Sequence, residues 1–207
     1  MSIQERRARE RDRRHQRIIA AARRLAEEEG WDSVTTRRLA EAIEYSQPVL
    51  YSHFQGKNAI IQAVAVEGFA ELTAAMRTAR QQAPAPRAAL LSLAQAYLAF
   101  AQANPALYEA MFTLADIPFA QPESPAPLRE GFAEFREALA PFTGDRDLDT
   151  LGEITWSTLH GLATLSASHR LRPGHAEERL TLLVEQLAIA RTTSPDPPAQ
   201  GPGKQVV

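Results

Sequence analysis

A chain of 207 residues, 44% hydrophobic and 23% charged, can build one large domain or a small domain joined to a larger one, and it is neither collagen-like nor disordered throughout. With no cysteine it has no disulfide framework, no thiolate metal site and no cysteine nucleophile, which fits a reducing compartment. The net charge of -2 conceals an imbalance: residues 1–60 carry twelve Lys and Arg against nine Asp and Glu, and the rest carries eleven against sixteen.

The basic excess is sharpest at the start, where nine arginines stand against Glu5, Glu10 and Asp12 within the first 26 residues. A polyanion is the natural partner of such a segment, although a charged arm can also be merely solvated. Residues 1–13 read as a basic flexible arm. Ile18, Ala22, Leu25 and Ala26 then recur at helical spacing up to Gly30, which predicts a first helix from about Asp12, a candidate cap, to Glu29. A short loop, Trp31 to Thr36, leads to a second helix that Thr35 can cap and that carries Leu39, Ala40 and Ile43 on one side. A third short helix, Gln47 to Phe54, opens near Pro48, where the first turn tolerates proline. From Asn58 a long helical pattern runs to about Gln81, and Pro84 and Pro86 stop it.

Helical periodicity continues over 86–103, 105–115, 128–139, 148–171 and 175–191, and no segment alternates with period two. The four prolines between Asp116 and Pro127 make that stretch a surface loop, and residues 192–207, with four prolines and two glycines, read as a disordered tail. The fold class is all-α, with about nine helices: a helix-turn-helix unit over 14–60 joined by a long helix to a larger bundle over 61–191. The apolar run from Ile18 is cut by Arg23 and Arg24, which excludes a secretory core, and the uncharged stretch Ala88 to Tyr108 is mostly alanine with Ser92, Gln95 and Asn104. The expectation is a cytoplasmic protein with no membrane partner.

Two short helices behind a supporting helix form a helix-turn-helix, whose second short helix lies in the DNA major groove. At this point the residues Thr35-Thr36-Arg37-Arg38-Leu39-Ala40, Ser46-Gln47-Pro48-Val49-Leu50-Tyr51-Ser52-His53-Phe54 and Gly56-Lys57 resemble the N-terminal domain of TetR-family transcriptional regulators, over roughly residues 14–64. Glu44 departs from the glycine usual in that family's turn, where a positive φ is expected at a cost of about 1 kcal/mol. Tyr45, in place of a small aliphatic residue, is expected to pack partly into the three-helix core.

Chemistry assigns the roles. Tyr51, His53 and Lys57 can donate to phosphate oxygens, and Thr35, Thr36 and Arg37 open the second helix toward the same backbone. The Gln47 amide can pair with adenine, and Pro48 and Val49 can meet a thymine methyl group. Leu50 and Phe54 read as core; His53 taken alone is more often a plain surface histidine.

A second resemblance, carried by Asn104 to Phe112 and by Trp156 to Leu162, is to the Trp-His-Gly type of C-terminal domain in one branch of that family, and it implies effector sensing and dimerisation. Leu180, Leu183, Val184 and Leu187 form one apolar stripe, and Leu151, Ile154, Thr158, Leu162 and Leu165 form another. Two such helices from each subunit can make a four-helix homodimer interface, the other possibility being intrachain core. Tyr97, Phe100, Tyr108, Met111, Phe112, Phe132, Phe135, Trp156 and His160 are candidates for a small-molecule pocket, most of them also suited to plain core. His160 needs a hydrogen-bond partner, which is Trp156, a tyrosine or a ligand. The five histidines are too scattered for a metal site, so neither metal nor cofactor is expected. The sequence thus implies a ligand-responsive regulator, in the repressor sense usual for that family, binding double-stranded DNA as a homodimer on a near-palindromic operator. The alternative is a helical adaptor with a basic arm, and no convergent set of titratable residues suggests an enzyme.

Overall fold

The computed structural model describes residues 2–189, within which there are nine α-helices and no strand. The expected tail at 192–207 and the end of the last helix lie outside the described residues. Helix α1 spans Ile3–Glu29, α2 Thr36–Ala42, α3 Gln47–His53 and α4 Lys57–Gln82. The bundle follows with α5 Pro86–Ala103, α6 Pro105–Glu109, α7 Ala126–Leu139, α8 Leu148–Ala167 and α9 Ala176–Ile189.

Helix α1 starts nine residues before the expected Asp12, because Ser2 and Glu5 form a reciprocal capping box: the Glu5 amide donates to Ser2 Oγ at 3.1 Å, and the Ser2 amide to Glu5 Oε2 at 2.9 Å. The basic segment therefore continues α1 as helix, and Asp12 lies in the helix interior. Ile18, Ile19, Ala22 and Ala26 bury the inner face of α1. Against them pack Leu39 and Ala40 of α2, Leu50 of α3, and Ile60, Ile61 and Val64 of α4, so that the start of α4 closes the small core of the first three helices.

The turn between α2 and α3 shows how Glu44 is accommodated. Its φ is +57°, the Glu44 amide donates to the Glu41 carbonyl at 3.3 Å, and the Tyr45 amide donates to the Ala40 carbonyl at 2.9 Å. These are the two bonds of a Schellman ending, so a left-handed residue is required here and glutamate takes that place. Tyr45 is half-buried; its hydroxyl accepts from Arg17 at 3.1 Å, and that guanidinium lies 5.2 Å from its ring centre.

Helix α4 serves both parts of the molecule. Its first turns belong to the small core, and Phe69, Leu72 and Met76 belong to the bundle, where α4 packs chiefly against α5 and α7. By length and hydropathy α4 is the most membrane-like helix among the described residues, yet half of its apolar window is buried against its neighbours. Gly68 allows α6 to approach it: a Cβ there would stand 2.7 Å from Leu107 Cδ1 and from Met111 Sδ. On the side of α7 that faces α4, the buried Glu134 carboxylate binds Arg77 Nε at 2.7 Å and Arg80 Nε at 2.9 Å, fixing α7 to α4 by charge-assisted bonds.

Candidate nucleic-acid interface and the cavity behind it

Thr35 caps α2, its Oγ1 accepting from the Arg38 amide at 3.2 Å, so at least part of its hydrogen-bonding capacity is structural. Arg38 forks onto Glu29 at 2.6 and 2.9 Å and ties α2 to α1, whereas Arg37 extends outward on a surface pair with Glu41 at 3.0 Å. Gln47 and Pro48 are exposed on the first turn of α3, with Val49 half-buried beside them. Tyr51 is 52% exposed, an unusual surface position for a ring, and its hydroxyl lies 3.4 Å from Thr36 Oγ1. Leu50 and Phe54 are buried, as core residues should be. The structure thus brings Thr36, Arg37, Gln47, Pro48 and Tyr51 together on the outer side of α2 and α3.

His53 is half-buried at the end of α3, its ring centre 6.2 Å from that of His15, which stacks on Phe54 at 4.4 Å. Burial, followed by the neighbouring His15, Arg11 and Arg14, holds its pKa below the ordinary histidine value. Lys57 departs from the expectation of a free phosphate grip, because its ammonium donates to the Trp31 carbonyl. An ammonium has three donors, so two remain for another acceptor.

Trp31 proves to be a junction that sequence reasoning passed over as a loop residue. Its carbonyl takes Lys57, and its buried indole N–H donates to the Ala106 carbonyl at 2.7 Å. Beside it the Glu27 carboxylate accepts the amides of Ala106 at 3.1 Å and Leu107 at 3.0 Å, which are orphan donors in the first turn of α6. Arg23 donates to Asn104 Oδ1 at 2.8 Å and to Glu71 Oε1 at 2.6 Å. The helix-turn-helix is therefore hydrogen-bonded to the start of α6. The available signal was a lone tryptophan directly after a helix.

Helix α6 runs directly into a π turn, Ala110–Leu114, and delivers Phe112 to a cavity of about 350 Å³ between α4, α5, α7 and α8. π turns of this kind are frequent at functional sites. Of the candidate pocket residues, Tyr97, Phe112, Phe132, Phe135 and Trp156 line the cavity. Tyr108 and His160 stand behind it, and Phe100 and Met111 do not reach it: Met111 is wholly buried beside Gly68, and Phe100 packs against the core. The missed wall comes from α4, with Phe69, Leu72, Thr73 and Met76, and from Phe119 of the proline-rich loop, which stacks on Trp156 at 6.0 Å. An exposed phenylalanine among prolines was the signal for the latter.

A hydrogen-bonded line crosses the cavity floor. Trp156 Nε1 donates to the Tyr97 hydroxyl at 3.2 Å, the Tyr97 and Tyr108 hydroxyls are 2.8 Å apart, and Tyr108 lies 2.7 Å from His160 Nδ1. Burial raises the Tyr97 pKa to about 12, raises that of Tyr108 further and lowers that of His160. All three side chains are thus neutral near pH 7; the indole N–H can only donate to Tyr97, while the two bonds beyond it run in the direction that the tautomer of His160 sets. The required partner of His160 is a tyrosine.

The apolar stripes separate into two populations. Leu151, Leu180, Val184 and Leu187 are buried within the chain, α9 packing on α5, and this corrects their assignment to an intersubunit face. Leu162, Leu183 and Thr158 are half-buried. Ile154 and Leu165 on α8 and Leu182 on α9 are 56%, 38% and 50% exposed.

Together these features define a class: a helix-turn-helix unit carried by one long helix on an all-helical bundle with an internal cavity. Residues 18–64 match the family described as bacterial regulatory proteins of the tetR family, and residues 90–187 match the tetracyclin repressor-like C-terminal domain. The chain belongs to the TetR family, the two matches falling on its N-terminal and C-terminal domains. It is 51% identical over 47 residues to the tetracycline repressor protein class G of Vibrio anguillarum, an alignment covering 23% of this chain and 22% of that one. For the class A repressor of Escherichia coli the values are 46% over 54 residues, 26% and 25%. The alignments thus span about a quarter of those repressors. A protein of unknown function from Rhodococcus sp. RHA1 superposes with a TM-score of 0.73 at 26% identity, covering 85% of this chain and 94% of that one. The regulator PfmR of Thermus thermophilus has the same fold, with a TM-score of 0.58 at 22% identity, 83% of this chain and 96% of that one being covered.

Proposed function

We propose that the protein is a homodimeric repressor of the cytoplasm that binds a near-palindromic operator and is released by a small apolar or amphipathic effector. The observation that carries this reading is that α4 is common to both sites: Lys57 and Ile60 belong to the helix-turn-helix, and Phe69, Leu72, Thr73 and Met76 line the cavity. A ligand that shifts the cavity end of α4, or α6 through Phe112, acts on a helix already bonded to the reading unit by Glu27, Trp31 and Lys57. Two reading helices must meet half-sites at the roughly 34–36 Å repeat of DNA, so a small change of their separation suffices for release. A coupling free energy of about 1–3 kcal/mol is ordinary for such linkage.

In this reading Gln47, Pro48 and Val49 meet base edges, and Thr35, Thr36, Arg37, Tyr51, His53 and Lys57 grip phosphates. The second subunit covers the exposed face of α8, where Ile154, Thr158, Gly161, Leu162 and Leu165 share one side and a Cβ at Gly161 would meet nothing within 4 Å. Leu182 and Leu183 extend that face onto α9.

The test is selection of random duplex DNA on the purified protein, followed by anisotropy across a salt series. A selected palindrome with a steep negative salt slope is expected, and small aromatic and amphipathic molecules that fill the cavity should release it. Failure to enrich any sequence would overturn the reading.

A further inference from the structure

The first three turns of α1 lie outside the core: every residue from Ser2 to Arg13 is exposed, and burial begins only with Ile18 and Ile19, after half-buried Arg14 and His15. This extension is nevertheless helical and capped by the Ser2–Glu5 box. At about 3.6 residues per turn, Arg7, Arg11 and Arg14 fall on one face, at i, i+4 and i+7, while Glu5 and Asp12 fall on the opposite one. The arginine face is the one turned toward α3. Arg14 and Arg17 border a groove with Tyr45, Ser46 and Val49, and His15 stacks on Phe54 at the other end of the same short helix.

Among the described residues, Arg6, Arg7, Arg9, Arg11 and Arg13 have neither an ion-pair nor a side-chain hydrogen-bond partner, and Glu10 is taken by Arg14. Such a placement costs stability in the isolated protein. Arg7 and Arg11 repel at i, i+4, and cations in the first turns oppose the helix dipole. A row of phosphates removes both penalties.

We propose that the basic extension of α1 is a rigid second DNA-contacting element, which grips phosphates of the duplex beyond the base pairs read by α3. This rests on the reading of α2 and α3 as the sequence-specific head. From Ile3 to Arg14 the helix rises about 16 Å, at about 1.5 Å per residue. With about 3.4 Å per base step, it lengthens the footprint of each head by roughly five base pairs. The extension adds affinity and salt dependence and carries no base preference, because guanidinium groups on phosphates read charge and not sequence.

The experiment compares the native protein with the triple variant Arg6→Gln/Arg7→Gln/Arg11→Gln on two duplexes that share one selected operator. One duplex ends at the outer edges of the half-sites; the other carries about six further base pairs of arbitrary sequence on each side, a little more than the extension can span. The native protein should bind the longer duplex about tenfold more tightly near 0.1 M salt. Its log–log salt slope should be steeper there by about one for each additional phosphate neutralised. The variant should treat both duplexes alike, keep the native base preferences, and melt no lower than the native protein, because all three arginines lie outside the core and their mutual repulsion is relieved. Equal native affinity and slope on the two duplexes, or a variant indistinguishable from native, overturns the proposal. If selection enriches no operator, that failure strikes the sequence-reading head instead, and the same slope comparison on random-sequence duplexes of the two lengths still decides the role of the extension.

Discussion

The reading unit and the cavity are built in opposite ways. In the N-terminal part the candidate residues lie between Thr35 and Lys57, on two short helices and the start of a third, and Arg37, Gln47 and Tyr51 face outward. In the bundle the cavity joins Phe69 to Trp156 across four helices and a loop, and its polar groups, Tyr97, Tyr108, Trp156 and His160, satisfy one another inside. Apart from Thr35 and Lys57, which cap α2 and hold Trp31, the first arrangement is a surface open to a partner, so substitutions there should change binding and spare stability. The second is part of the packing, so substitutions there should change stability first.

The largest effect expected from this contrast is at Glu134. Replacement by alanine removes two charge-assisted bonds and empties a buried site, at a cost of about 3 kcal/mol, while Glu130 and Glu137 still face Arg77 and Arg80. For a chain of this size the melting temperature should fall by roughly 6–12 °C. Operator preference, measured on the folded fraction, should be unchanged. A Glu134→Ala protein with native stability would show that the bundle tolerates open polar groups and would erase the contrast.

Gln47→Ala should show the inverse pattern. Discrimination at one base pair should fall by about 1–3 kcal/mol, with stability within about 0.5 kcal/mol of native because the side chain is exposed. Competition binding against single-base operator variants measures the first, and urea denaturation the second. An equal loss on every sequence would place Gln47 on phosphate.

Trp31→Phe tests the junction between the two regions. Phenylalanine keeps most of the buried ring and loses the donor to Ala106, at a cost of about 1–2 kcal/mol for the unpaired carbonyl. The sharper outcome concerns coupling: at equal operator affinity, release by a cavity ligand should need more ligand than in native protein. Unchanged release would send the signal through α4 alone.

Legibility follows the same division. The helices emerge from period and capping, and the Glu44 turn from the absence of an expected glycine, because those features are written within a few neighbouring residues. The sequence pattern starts helix α1 too late, at Asp12, because the Ser2–Glu5 box is two residues of polar sequence with no apolar period behind it. Leu151, Leu180, Val184 and Leu187 point to the wrong surface when read by spacing, since a stripe states that a face is buried and not by what. The α4 wall of the cavity and the Trp31 junction depend on partners about 30 to 90 residues away, such as Ala106 and Tyr97, and local spacing is silent on those.

The smallest effect belongs to His160 and separates the two histidine environments. In the bundle, burial lowers its pKa, and Tyr108 is the partner of Nδ1, so the folded state favours the neutral ring. Unfolded histidine binds its proton near pH 6.5. Above that value neither state is protonated at this site and its full contribution to stability is present; as pH falls below it, the unfolded chain takes up a proton that the folded chain resists, and stability declines toward the lowered folded pKa. Urea denaturation at pH 7.5, 6.5 and 5.5 should register that loss, and His160→Phe should flatten it, while leaving the Tyr108 hydroxyl bonded to Tyr97 alone at every pH. His53 has a lowered pKa as well, from burial first and then from His15, Arg11 and Arg14, and phosphate would neutralise those two arginines. Operator binding should therefore favour its protonation, so affinity rises with acidification while bundle stability falls. Opposite signs from two histidines with the same direction of shift follow from what each faces: His160 another side chain of its own core, His53 the surface that receives DNA.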